Sequence, residues 1–147
     1  ECLLREIARQ PRLSIGLPKE NALAETRLAL TPEGVAIVTE EGHSVYVQRG
    51  AGEPMSYSDL QYSEAGAYLV DDAAEVFGAD MVLKIAPPTL DELNLMHDRS
   101  TLFSMLQLSN LSAECIRLMM KKKMKMVKRR MVIKHQKIFL QITINKL

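Results

Sequence analysis

LSIGLPKENALAETRLALTP, residues Leu13 to Pro32, changes character twice within its length. Leu13 to Leu17 is a short apolar run closed by Pro18, the pattern of a strand buried on both faces. A polar loop follows, carrying Lys19, Glu20, Glu25 and a single arginine, Arg27. Thr31-Pro32-Glu33 then opens a helix, with Thr as N-cap, Pro at the first helical position and Glu in the first turn. A strand that exposes a charged loop before entering a helix is the unit of an open α/β sheet. In such sheets ligands bind where loops leave the carboxyl ends of the strands. Arg27 is therefore the first candidate ligand contact.

The same alternation continues along the chain. Upstream, Leu3, Leu4, Ile7 and Ala8 have helical spacing and predict a short helix over residues 1–12, ended by Pro11. Downstream, the first helix is expected from Pro32 to Glu41, stopped by Gly42. Val45-Tyr46-Val47 is the second strand. Arg49-Gly50-Ala51-Gly52 is a turn whose two glycines allow positive φ. Ser58-Asp59 caps a helix ending at Gly66, and Ala67 to Val70 is a short strand. Asp71-Asp72 caps a helix through Phe77, and Met81 to Ile85 is the next strand, broken by Pro87-Pro88. Thr89 and Glu92 form a capping-box pattern for a helix to about Met96. Thr101 to Leu106 is a further strand, and Ser112 caps a helix bearing Ile116, Leu118 and Met119. This order predicts an α/β fold: a mostly parallel sheet of roughly five strands over residues 13–123, right-handed crossovers, and helices on both faces.

The composition narrows the function classes. The 147 residues suit one domain and are 47% apolar, enough for a core. No run of about 18 apolar residues suggests a membrane helix. Cys2 and Cys115 imply neither a disulfide framework nor a metal site, which points to a reducing cytoplasm. The chain begins with Glu and shows no signal pattern. It is expected to start inside a longer reading frame. Charge divides it sharply: residues 1–120 hold nine basic and all 18 acidic residues, whereas 121–147 hold ten basic residues and no acid.

With these residues in view, the run GLPKE…ETRLALTPEGV…EEGHSVYVQRGAGE…YSEAGAYLVDDAAEVFGADMVLKIAPPTLDEL resembles the N-terminal domain shared by alanine dehydrogenase and the alpha subunit of proton-translocating nicotinamide nucleotide transhydrogenase. The resemblance spans Leu13 to Lys123. It implies a Rossmann-like/flavodoxin-like three-layer domain and a parent enzyme that transfers hydride with NAD or NADP. The dinucleotide would sit on a second domain, and the parent would be a homo-oligomer. Arg27 matches an arginine that binds the substrate carboxylate in alanine dehydrogenases, a role suited to a guanidinium fork. Lys84 matches the first lysine of a K-x-K-x-P pattern, but the second, a substrate contact, is replaced by Ala86. Gln107 stands where an acid/base histidine is found in an L-H-L pattern. An amide does not titrate near neutral pH. Transhydrogenase alpha subunits also lack that lysine and histidine, so the departures favour a transhydrogenase-like member over alanine oxidation.

Each candidate also has a plainer reading. Arg27 can be a solvated loop residue, Lys84 a surface lysine at a strand end, and Gln107 a hydrogen-bonded core or rim residue. His43 is expected to be structural, and His97, at a helix end, is assigned no chemistry. The methionines at 119, 120, 124, 126 and 131 read as core filler and then tail composition rather than a ligand set. No G-x-G-x-x-G fingerprint is present; Arg49 to Glu53 is read as a turn, and no cofactor is expected on this chain alone.

After Lys123 the alternation is expected to fail, although Ile138 to Ile144 could form a strand. The basic segment 124–147 could bind nucleic acid or an anionic membrane surface, but the favoured reading is a frameshift or misassembled end. The competing reading of the whole chain is an inactive orphan domain or a non-enzymatic binding module. Without the elements that complete the sheet, exposed edges and poor stability are expected.

Overall fold

The computed structural model describes residues 12–20, 27–104 and 111–128. The N-terminal helix expected over 1–12, the end of the strand at 105–106, Gln107 and the segment from 129 onward therefore lie outside, or almost wholly outside, the described residues. The elements alternate as β1 (Ser14–Leu17), α1 (Pro32–Glu40), β2 (Ser44–Gln48), α2 (Asp59–Glu64), β3 (Tyr68–Val70) and α3 (Ala73–Phe77). They continue with β4 (Met81–Leu83), α4 (Leu90–Leu95), β5 (Thr101–Ser104), α5 (Ala113–Lys121) and β6 (Lys125–Lys128). The sheet order is β3-β2-β1-β4-β5-β6, and every neighbouring pair is parallel.

Caps fix the helix starts. The side chains of Thr31, Ser58, Asp72, Thr89 and Ser112 each accept a backbone N–H of the first turn, as the sequence predicts. Ser58 with Gln61, and Thr89 with Glu92, complete reciprocal capping boxes. Strand alternation then sorts the core into two layers. Ile15, Leu17, Val45, Val47, Met81 and Leu83 pack with Val35, Val38 and Tyr62 of α1 and α2. Val82 and Leu102 pack with Phe77, Leu93, Cys115 and Met119 of α3, α4 and α5. Helices thus cover both faces of a three-layer α/β domain.

Gly16, in β1, shows why one strand position cannot carry a side chain. A Cβ there would stand 2.1 Å from the Val76 carbonyl oxygen of α3. The helix backbone lies directly on the strand. In the turn after β2, Gly50 adopts φ +76° as the sequence suggests. Gly52 does not: its φ is −86°, and its missing side chain instead makes room for Tyr57 and Tyr62.

Two expectations need correction. The five strands expected over residues 13–123 are all present, but the alternation does not fail after Lys123: Lys125–Lys128 adds a sixth strand beside β5. Just before it, Lys122 Nζ donates to the carbonyls of Leu93, Asn94 and Met96, at the free end of α4. A cation there meets unsatisfied helix carbonyls. Among the methionines, Met119 is buried and Met124 packs against the same cluster, whereas Met120 is 75% exposed and fills no core.

Candidate functional site

The chain runs outward from β1 through β2 to β3, then returns to place β4 on the other side of β1. The switch in direction falls between β1 and β4, which share only two registered pairs, Ile15 with Met81 and Gly16 with Val82. The carboxyl ends of strands at such a switch point are the usual ligand position in an open α/β sheet.

The loop leaving β1 is tied to both neighbours. The Lys19 N–H donates to Gln48 Oε1, at the end of β2, at 2.9 Å. On the other side, Glu20 reaches the loop after β4. Its Oε1 accepts the Ile85 N–H at 2.5 Å, and its Oε2 accepts the Ala86 N–H at 3.2 Å. Lys84 Nζ lies 3.3 Å from Glu20 Oε2 and 3.2 Å from Glu92 Oε1. The lysine side chain is 2% exposed, and the two carboxylates are nearly as buried. The remaining Glu92 oxygen accepts the Thr89 N–H and completes the capping box of α4. One carboxylate therefore caps a helix with one oxygen and holds a buried lysine with the other. On the far side of the same loop, Ser104 Oγ donates to the Ala86 carbonyl at 2.9 Å.

Lys84 is thus not a strand-end surface lysine. Burying an ammonium is costly unless it is paired and hydrogen-bonded, and two carboxylates supply the pairing. Arg27 is exposed and directly precedes Leu28 to Leu30, which pack inward. The Tyr62 hydroxyl donates to the Leu30 carbonyl at 2.9 Å in the core. Burial, then the neighbouring Tyr57 and Glu33, pushes the Tyr62 phenol well above its usual range. Glu20 and Arg27 therefore bracket one segment, each next to a fixed point. Gln107 lies outside the described residues.

Sequence reasoning missed Glu20 and Glu92 as site residues. Glu92 was legible only as a capping residue; nothing in its spacing announced the lysine. Glu20 stood in the Pro18-Lys19-Glu20 motif, and its position after β1 was the available signal. The histidines fall where they were expected. His43 is buried, and its Nδ1 accepts the Leu13 N–H at 3.2 Å. His97 Nε2 stands 3.8 Å from Asp80 Oδ1. At the amino ends of β1 and β4, Ser14 and Asp80 exchange hydrogen bonds: Ser14 Oγ and N–H donate to Asp80 Oδ2, and the Asp80 N–H donates to Ser14 Oγ.

The glycine-bearing turn after β2 does not fit a dinucleotide phosphate. The Gly50 N–H is committed to Asp59 Oδ1 at 2.9 Å, and the space beside Gly52 is filled by tyrosines. Among the described residues no cluster of His, Cys, Asp or Glu could hold a metal ion, and no helix is long and apolar enough to cross a membrane.

A parallel sheet whose strand order reverses between β1 and β4, covered by helices on both faces, defines a doubly wound α/β domain. The chain belongs to the family described as "Alanine dehydrogenase/PNT, N-terminal domain", whose profile matches residues 16–140. It is 41% identical over 96 residues to an alanine dehydrogenase of Staphylococcus saprophyticus, covering 65% of this chain and 26% of that protein. It is 38% identical over 98 residues to alanine dehydrogenase 2 of Staphylococcus aureus, covering 67% and 26%. The fold superimposes on an L-alanine dehydrogenase with a TM-score of 0.74 and 31% identity, covering 79% of this chain and 32% of the other. It also superimposes on a transhydrogenase from Sinorhizobium meliloti with a TM-score of 0.71 and 26% identity, covering 78% and 33%. The chain spans about a quarter of the length of these curated relatives.

Proposed function

We propose that this chain is the substrate-side N-terminal domain of an NAD(P)-dependent oxidoreductase, and that it is transhydrogenase-like rather than an oxidiser of alanine. In this reading it closes over a nicotinamide carried by a separate dinucleotide-binding domain of a cytoplasmic homo-oligomer.

The observation that carries the choice is Ala86. It lies in the loop after β4, half-buried, with its N–H donating to Glu20 and its carbonyl accepting from Ser104. A methyl group at that place donates nothing to a substrate. Gln107 adds to the same argument, since a carboxamide is neither a general acid nor a general base near neutral pH. Oxidising an amine needs a proton acceptor, whereas hydride passing directly between two nicotinamide rings needs none. Arg27 remains useful in either case, because its guanidinium can hold a carboxylate or the oxygen of a carboxamide. Lys84, already engaged by two carboxylates, holds the loop after β4 in place beside the switch point.

The second reading is alanine oxidation itself, favoured by the names of the relatives at 41% and 38% identity. A chimera separates the two. Residues 13–123 replace the matching segment of the Staphylococcus saprophyticus alanine dehydrogenase, and assembly and NADH binding are checked first. The chimera is expected to assemble without oxidising alanine, and Ala86→Lys with Gln107→His is expected to restore measurable oxidation. Alanine oxidation by the unmodified chimera at the relative's rate would overturn the proposal.

A further inference from the structure

The sheet is open along both edges. Among the described residues β3 pairs only with β2, and β6 only with β5. An open edge presents unpaired backbone groups and is a template for another strand. The two edges differ in charge. Residues 61–80, which build β3 and most of the helices beside it, hold five acidic residues and no lysine or arginine. Of these Glu64, Asp71, Asp72 and Glu75 surround β3, and all are exposed. Arg49, at the end of β2, pairs with Asp71 and leaves the balance negative. Residues 115–128, which build β6 and most of α5, hold six basic residues and no acid. Arg117, Lys121, Lys123 and Lys125 are exposed.

Register carries one row of residues across the sheet. Tyr68, Tyr46, Gly16, Val82 and Leu102 are registered partners in turn and share one face. At the β3 end of that row Tyr68 is 58% exposed and stacks on Tyr46, with ring centroids 5.3 Å apart. At the other end α5 covers the same face, because Met119 packs with Leu102. Its neighbour Met120 is 75% exposed.

We propose that a second copy of this chain extends the sheet head to tail, with the basic β6 edge of one copy beside the acidic β3 edge of the next. The strands then run parallel through the junction and both copies keep the same face up. Tyr68 of the added copy arrives on the face that carries Met120, and an aromatic ring beside a thioether is a favourable contact. Joining like edges about a two-fold axis, β3 to β3 or β6 to β6, sets like charges against each other and is disfavoured. The edge strands have three and four residues, so backbone pairing is short and charge selects the partner. Each added copy brings a new free edge, so growth passes beyond the dimer unless a ring closes.

The test is analytical ultracentrifugation of the full chain over a concentration series. At low salt the average mass is expected to rise past that of a dimer. Sodium chloride at about 0.5 M is expected to weaken the association by about tenfold or more, because it screens contacts between exposed charges. A chain that stays monomeric, stops at the dimer, or associates equally in both salts would overturn the proposal.

Two pairs of substitutions at exposed positions locate the contact. Glu64→Lys with Glu75→Lys makes the β3 edge basic, and Lys121→Glu with Lys125→Glu makes the β6 edge acidic. Each variant alone is expected to be monomeric at low salt. An equal mixture is expected to associate again, because each offers the edge that the other has lost. Glu53→Lys with Asp91→Lys makes the same change in net charge away from both edges and is expected to associate as the wild type does. Both edge variants retain the basic residues beyond 128, so association driven by those residues would survive Lys121→Glu with Lys125→Glu. Association that survives either edge pair, disappears in the control, or fails to return in the mixture would overturn the proposal. Circular dichroism checks folding, and if an edge variant does not fold, the salt and concentration dependence of the wild type decides. None of these readouts depends on the reaction catalysed, so their failure is distinct from an alanine-oxidising chimera.

Discussion

β1 and β4 are fastened at both ends, by opposite kinds of chemistry. At the amino ends, Ser14 and Asp80 exchange three hydrogen bonds in a water-exposed place. At the carboxyl ends, Glu20, Lys84 and Glu92 form a buried ionic network that also takes two backbone amides. An exposed tie competes with water and contributes little. A buried one has no water to fall back on, so losing a member leaves charge stranded. The comparison teaches that the amino end fixes register cheaply, while the carboxyl end holds an expensive arrangement where α/β sheets place their ligands.

Removing the cation should give the largest effect. Lys84→Met leaves two buried carboxylates facing each other and is expected to cost about 3–5 kcal/mol in urea denaturation. A cost below about 1 kcal/mol would place the network in water and erase the contrast between the ends.

Between the two ends, Gly16 tests how tightly β1 is gripped. Gly16→Ala drives a methyl into the Val76 carbonyl and is expected to cost about 1–3 kcal/mol or more. Thermal denaturation would read this, with Gly42→Ala, where nothing stands within 4 Å, as a reference for backbone strain alone.

Tyr62 sharpens the comparison through pH. Tyr62→Phe leaves the Leu30 carbonyl without its buried donor and is expected to cost about 1–3 kcal/mol. In the wild type the folded phenol stays protonated where an unfolded tyrosine ionises, near pH 10. The unfolded chain then binds fewer protons, so stability is full below about pH 10 and falls as pH rises beyond it. Tyr62→Phe should flatten part of that alkaline fall. Identical slopes in both proteins would show that other groups cause it.

The smallest effect is expected at the amino end. Ser14→Ala removes an exposed hydroxyl and should cost about 0.5–1.5 kcal/mol. A loss equal to that of Lys84→Met would mean that the two ends are not different in kind.

Much of the fold was legible because local signals and topology agreed. Thr31, Ser58, Asp72, Thr89 and Ser112 announced helix starts, and the apolar runs between them could only be strands of a parallel sheet. The sixth strand was hidden. Lys125 to Lys128 reads Lys-Met-Val-Lys inside a basic run, with neither period-two alternation nor a continuous apolar run, so only its pairing with β5 identifies it as a strand. The candidate site was half legible. Arg27 and Lys84 were visible as charges placed after strands. The burial of Lys84 was not, because it depends on Glu20 and Glu92, 64 and 8 positions away in sequence. Glu92 was further concealed by its capping role, which accounted for it completely at the level of spacing.

The most direct test of the account is an NMR titration of the labelled chain with reduced nicotinamide mononucleotide, the hydride-carrying half of the cofactor. The account predicts shifts at Arg27, Leu28 and the Lys84 to Ala86 loop, silence at Ser14 and Asp80, and loss of the shifts in Arg27→Ala. Shifts centred on the amino ends of β1 and β4, or shifts that survive Arg27→Ala unchanged, would contradict it.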